Sequence, residues 1–190
     1  MAELDLVKLH KKAGEQAGKF IAQVKDDQWE KQSDCTDWSV RDLVNHIVSE
    51  NLWVPDLIDG KTVEEVGDKY EGDVLGDDPV ESYQKSIEGA NEAISAPNAL
   101  QKTVHLSYGD FPAEVFIGHR LIDLVVHGWD VAKSTGQNDQ LDQEVVEAAW
   151  DVLQPQLKEM QGSGYFGTPV DVSDDAPVQD KLLGALGRVR

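Results

Sequence analysis

From Leu6 to Val24 the apolar or small residues Leu6, Leu9, Ala13, Ala17, Phe20, Ile21 and Val24 recur every three or four positions, the spacing of an amphipathic helix with one buried stripe. Ser39, three residues before Asp42, reads as a capping box. It opens a second predicted helix whose apolar positions Val40, Leu43, Val44, Ile47, Val48 and Val54 continue to about Leu57, with Pro55 near its end. From Asp59 to Asp78 the periodicity fails in a polar, glycine-dotted stretch, where a long loop able to overhang a site is expected. Pro79 suits the first turn of a third helix, with Val80, Tyr83, Ile87, Ala90 and Ile94 on its apolar face and an end before Pro97.

The period then changes. Between Lys102 and Phe111, Val104, Leu106 and Tyr108 alternate around a Gly-Asp turn, which predicts a short hairpin between helices. Pro112 opens the most apolar helix of the chain, closing at Gly136 after Lys133. A last amphipathic helix is expected from about Asp142 to Met160, and a short one in the Gly- and Pro-rich tail from Lys181 to Leu186. The pattern is that of a mostly α protein. With no internal repeat and no break in composition, residues 1–190 are expected to form a single domain.

The chain carries 17 Lys and Arg against 36 Asp and Glu, a net charge of -19. That charge is spread along the length and repels phosphate backbones and anionic lipid, so neither a nucleic-acid nor a membrane partner is expected. The N-terminal MAELDLVKLHKK interleaves charges with apolar residues, unlike a signal peptide, and no later run approaches membrane-spanning length. A soluble, cytoplasmic protein is expected. The single cysteine, Cys35, excludes an internal disulfide and a multi-cysteine zinc site, which leaves His, Asp and Glu as metal ligands. Cys35 itself reads as a packing residue just before the second helix.

At about 100° per residue, His119, Asp123 and His127 share an ~80° stripe of the long helix, with Arg120 and Asp130 on the same side. Apolar residues flank that stripe, so its ionisable groups need partners. An imidazole and a carboxylate four residues apart, Asp123 and His127, project from successive turns and can converge on one ion at ~2.0 to 2.2 Å. His46, at the border of its helix's apolar stripe beside Leu43 and Trp53, offers a third ligand. Three ligands with open positions describe a catalytic rather than a closed structural site, and mixed N and O donors suit Zn, Ni, Co, Fe or Mn.

Alternatives stay open on spacing alone. Asp123 and His127 can be a plain ion pair, with Arg120 competing for the carboxylate, and His46 an ordinary boundary histidine. His119 and Asp123 form a rival pair, although about 12 Å of helix rise separates His119 from His127 and keeps both from one ion. Glu50, four residues after His46, could complete or replace a ligand, and Asp130 could orient an imidazole. His10 and His105 carry no functional signal.

The segments CTDWSVRDLVNHIV (35–48), LSYGDFP before the long helix, LIDLVVHGWDVAKSTGQ (121–137) and APVQDKLLGALGR in the tail resemble the DinB-like superfamily over nearly the whole chain, in particular its mycothiol-dependent, maleylpyruvate-isomerase-like metal-binding branch. The resemblance implies an up-down-down-up four-helix bundle and a divalent-metal site, zinc first, at His46, Asp123 and His127. It also implies a metal-activated low-molecular-weight thiol, such as mycothiol or bacillithiol, acting on a small electrophile in a thiol S-transferase or isomerase-like reaction. A homodimer is in keeping with how bundles of this family often pair. Two other readings go with the same resemblance: a non-catalytic metal-binding stress-response module and a metal-dependent hydrolase. The true isomerases carry a further C-terminal domain, for which the residues after Met160 are too few. Where many relatives have a third histidine, this chain has Asp123, which is expected to moderate the ion's acidity.

Overall fold

The computed structural model describes residues 4–35, 37–158 and 167–190. The first helix, α1 (Leu6–Ile21), starts where the Asp5 side chain accepts a hydrogen bond from the Lys8 amide. It buries Leu6, Leu9, Ala13, Ala17, Phe20 and Ile21 as the spacing predicts. It stops short of Val24 because the amides of Gln23 and Val24 turn to the carbonyls three residues back, at Phe20 and Ile21, tightening the chain out of the α-helical ladder. Helix α2 (Val40–Ile58) has the expected reciprocal cap between Ser39 and Asp42 and carries Pro55 inside its last turn.

The stretch from Asp59 to Asp78 is not wholly loop. Thr62 and Glu65 cap each other around a four-residue helix, α3 (Val63–Val66). The rest lies along the polar face of α2, tied by Arg41 to Asp73, by Asn45 to the Gly72 carbonyl and Val74 amide, and by Ser49 to the Tyr70 carbonyl. Asp56 holds its far side, accepting from Lys61, Lys69 and Tyr70. Helix α4 (Pro79–Ser95) follows with Pro79 in its first turn and Asp78 as its cap.

A 3₁₀ turn (Ala99–Gln101) leads to the expected hairpin, β1 (Thr103–Leu106) against β2 (Gly109–Pro112). Leu106 pairs with Gly109, so the turn is Ser107–Tyr108 rather than Gly-Asp. Gly109 takes φ 140, which glycine allows at the first paired position after the turn.

Helix α5 (Ala113–Ser134) is the centre of the molecule, with 16 of its 22 residues buried. Helices α1 and α2 both pack against it, and α4 packs against α1 and α2, so the four long helices close a ring of contacts. Gly128 permits the α1–α5 approach, because a Cβ there would stand 3.1 Å from the Ala17 Cβ. Helix α6 (Gln143–Leu153) covers α5 and α1. It gives way at Leu153 to a 3₁₀ turn (Gln154–Gln156), since Pro155 has no amide hydrogen to continue the ladder. Of the helix expected to reach Met160, residues 159 and 160 lie outside the described residues. The last helix, α7 (Val178–Ala185), begins earlier than the tail pattern suggests and lies on α6. Among the described residues no helix is long and apolar enough to cross a membrane.

Candidate metal centre

Packing α2 against α5 brings His46 to the pair that α5 already carries. Asp123 Oδ1 is 3.3 Å from His127 Nε2 one turn later and 3.7 Å from His46 Nε2 across the helix interface. The two imidazole rings stand nearly perpendicular, at 81° and 5.0 Å between centroids. The three donor atoms lie within 4.8 Å of one another. Tetrahedral ligands at ~2.1 Å from one ion are about 3.4 Å apart, so this spacing and the mixed N and O donor set fit a divalent cation. Side-chain exposure falls from 28% at His46 through 18% at Asp123 to 10% at His127, which leaves the site open on the α2 side.

Asp123 reaches the histidines with one oxygen only. Its Oδ2 accepts from Arg120 Nη1 at 2.8 Å, and the same guanidinium donates to Glu50 Oε2 at 3.1 Å and to Asn51 Oδ1 at 3.3 Å. Burial alone would raise the Asp123 carboxyl, but the charges of His127 and Arg120 and the hydrogen bonds from both histidines hold it well below the usual carboxylate range. His127 responds in the opposite sense. Burial disfavours its cation, yet the Asp123 charge and hydrogen bonds to Asp123, Asp130 and Cys35 raise its pKa well above the ordinary value. Both shifts favour the charged pair, with His127 standing between the Asp123 and Asp130 carboxylates.

The second carboxylate is Asp130, completely buried. Its Oδ2 accepts from His127 Nδ1 at 3.0 Å, from the Cys35 thiol at 3.1 Å and from Arg188 Nη2 at 2.8 Å. Burial pushes its carboxyl up, but the hydrogen bonds from His127 and Arg188 and their charges outweigh this and bring it down to about 2. With Nδ1–H committed to Asp130, His127 directs Nε2 at Asp123 and the space beside it.

Asp130 thus stands where it could orient the His127 imidazole, one of the alternatives the spacing left open. The rival ligands do not join the cluster: His119 Nε2 donates to Gln156 Oε1 at 2.9 Å, and Glu50 is engaged by Arg120. Cys35 packs against the core, as expected, but its sulfur also stands 3.6 Å from His127 Nδ1, a polar contact its local sequence does not reveal. Trp53 stacks edge-on with Tyr70. The aromatic beside His46 is Trp38, at 4.9 Å and 40°, which also reaches His127 at 6.2 Å. Asp37, with φ 70, sits in the left-handed region immediately before it, a strained turn of the sort concentrated at functional sites. Trp38 precedes the Ser39 cap and was legible only as part of the turn into α2. Arg188 was legible only as the last residue of the tail segment that carries the resemblance, with nothing to say what it would contact.

A family model, the mycothiol maleylpyruvate isomerase N-terminal domain, matches residues 10–132, a span that contains His46, Asp123 and His127. Two Mycobacterium tuberculosis proteins, the uncharacterized proteins MT0763 (strain CDC 1551 / Oshkosh) and Rv0738 (strain ATCC 25618 / H37Rv), are each 30% identical over 194 residues, covering 97% of this chain and 98% of their own length. No solved structure matches the chain. Since the family match runs from within α1 to the last turn of α5 and takes in every donor atom of the cluster between α2 and α5, the chain belongs to the mycothiol maleylpyruvate isomerase N-terminal domain family.

Proposed function

We propose that this protein binds a divalent metal ion, zinc first among the candidates, through His46, Asp123 and His127, and that it uses the ion to employ mycothiol or a related low-molecular-weight thiol against a small electrophile. The convergence of two imidazole nitrogens and one carboxylate oxygen within 4.8 Å carries the reading, and membership of a mycothiol-related family supports the thiol. The ring of contacts among α1, α2, α4 and α5 is read as the up-down-down-up bundle. A core running from Leu6 to Leu186 supports one domain over residues 1–190.

Held by His46, Asp123 and His127, a divalent ion would lower the pKa of a bound thiol and so would supply a nucleophile near neutral pH without a cysteine from the protein. The residues divide the remaining work. Arg120 turns one oxygen of Asp123 toward the histidines, and Asp130 holds the Nδ1–H of His127. Trp38 walls the site beside His46. The more exposed His46 side is where thiol and electrophile enter.

Elemental analysis of the purified protein and of its His46→Ala and His127→Ala variants tests the ligands: the wild type is expected to retain close to one equivalent of metal and each variant far less. Equal metal in all three would remove the site. Incubation with monochlorobimane and a panel of thiols then tests the chemistry, with conjugation faster than in a metal-free control expected for at least one thiol. Retained metal with no acceleration by any thiol would assign the protein to the non-catalytic metal-binding modules instead.

A further inference from the structure

The family match ends at residue 132, yet the buried carboxylate behind His127 is held by a residue near the C-terminus. After α7 the chain turns through Gly187, whose φ of 82 and whose contact with Gly167, 2.7 Å from an added Cβ, leave no room for a side chain. That turn carries Arg188 back over the C-terminal half of α5. Its amide bonds to the Leu183 carbonyl at 2.9 Å and its Nη1 to the Leu186 carbonyl at 2.7 Å, which fixes the guanidinium before it meets its partner. Nε then donates to Asp130 Oδ1 at 3.2 Å and Nη2 to Oδ2 at 2.8 Å, a two-point grip of the kind that sets orientation as well as charge. Nη2 also stands 3.3 Å from the Cys35 sulfur.

We propose that Arg188 is a positioning residue of the metal centre, acting through Asp130 on His127, so that the C-terminal segment is a working part of the site. The proposal rests on the metal reading above. Both carboxylates around His127 are then matched by an arginine, Asp123 by Arg120 and Asp130 by Arg188. Without Arg188, Asp130 would be a buried carboxylate with one imidazole and one thiol as donors, free to rotate its Oδ2 away from His127 Nδ1. The ring plane of the ligand would no longer be set. Partners behind a metal-binding histidine typically contribute 10- to 100-fold to affinity.

The tail supplies its own control. Arg190 also anchors it, donating to Asp139 Oδ1 at 3.2 Å and Gln140 Oε1 at 2.9 Å, but it touches no member of the cluster. The experiment measures zinc affinity of the full chain by competition with a chromophoric chelator, together with the visible spectrum of the cobalt-loaded protein and the thermal midpoint of the ion-free protein. Arg188→Ala is expected to weaken zinc binding at least tenfold and to alter the cobalt spectrum. Arg188→Lys, which keeps the charge but not the fork, is expected to recover part of the loss and carries the test if the alanine variant does not fold. Arg190→Ala is expected to stay within twofold of wild type. Wild-type affinity and spectrum in both Arg188 variants would overturn the proposal, as would an equal loss in Arg190→Ala, which would mean that docking of the tail alone matters. Absence of zinc binding in every protein, wild type included, would overturn the metal reading itself and this proposal with it.

Discussion

Arg120 Nη1 stands 2.8 Å from Asp123 Oδ2, and the guanidinium is 4% exposed. This relationship changes what the carboxylate means for the site. An aspartate in place of a third histidine subtracts one charge from an ion's surroundings, but here a buried arginine supplies that charge back within hydrogen-bond distance. With an ion bound, the expected moderation of its acidity would therefore be offset inside the protein. Replacing Arg120 by Met removes the buried partner of Asp123 Oδ2 and leaves the carboxylate only its histidines, and is expected to cost about 3 kcal/mol of stability, measured by urea unfolding. The double variant Arg120→Met/Asp123→Leu should lose less than the two single losses added together.

Metal binding should depend on pH through His127. Its pKa is raised, so near neutral pH the ion-free site holds a proton that an incoming ion must displace. Affinity is expected to rise with pH, by up to about tenfold per pH unit, until the pKa of His127 is passed. Chelator competition at pH 6, 7 and 8 reads this directly. A flat profile would mean that no proton leaves the site.

His10 gives a second pH dependence, of stability rather than binding. It is completely buried in α1, with Nδ1 2.9 Å from Asn91 Oδ1 and Nε2 without a hydrogen-bond partner among the described residues. Burial, aided by the Arg120 charge and only partly opposed by the Asn91 hydrogen bond, lowers its pKa from 6.5 to about 4. The folded protein therefore keeps His10 neutral while the unfolded chain takes up a proton. The stability tied to neutral His10 is complete above pH 6.5 and is lost as pH falls toward 4. Between pH 7.5 and 5.5 the loss is roughly 1 kcal/mol. Urea unfolding at the two pH values should therefore differ by that much more in the wild type than in His10→Gln.

Salt should stabilise the fold. A net charge of -19 repels itself over distances that ~1 M salt shortens to about 3 Å. Surface ion pairs such as those of Lys8 and Lys12 with Asp142 and Glu144 are each worth too little to oppose the gain. Raising NaCl from 0.05 to 1 M is expected to add about 1 kcal/mol, or 2–4 °C in thermal midpoint, by scanning calorimetry. A midpoint that falls with salt would mean that attractive pairs dominate the surface.

What could be read from the sequence was local. The Ser39–Asp42 cap, the first-turn Pro79 and the stripe joining Asp123 to His127 all involve residues three or four positions apart or less, where helix geometry alone sets the neighbours. The same logic found Asp130, one turn beyond His127. It fell short where a local choice had rivals. Thr62 and Glu65 nucleate α3 inside a stretch whose glycines speak for loop, and the hairpin turn shifted by two residues because Leu106 pairs with Gly109.

Tertiary structure decided which members of the polar stripe act together. His46 meets Asp123 only because α2 crosses α5. The same crossing assigns Glu50 and Asn51 to Arg120 and leaves Glu50 out of the cluster. Cys35 and Arg188 reach Asp130 from 95 and 58 residues away, separations over which no periodicity or cap carries information. The sequence by itself determined the long helices, the acidic surface and the Asp123–His127 pair, because these follow from backbone geometry and composition. Only the packed chain decided the third donor, the arginine on each carboxylate and the wall of Trp38, because those contacts arise from how separate elements bury their faces against one another.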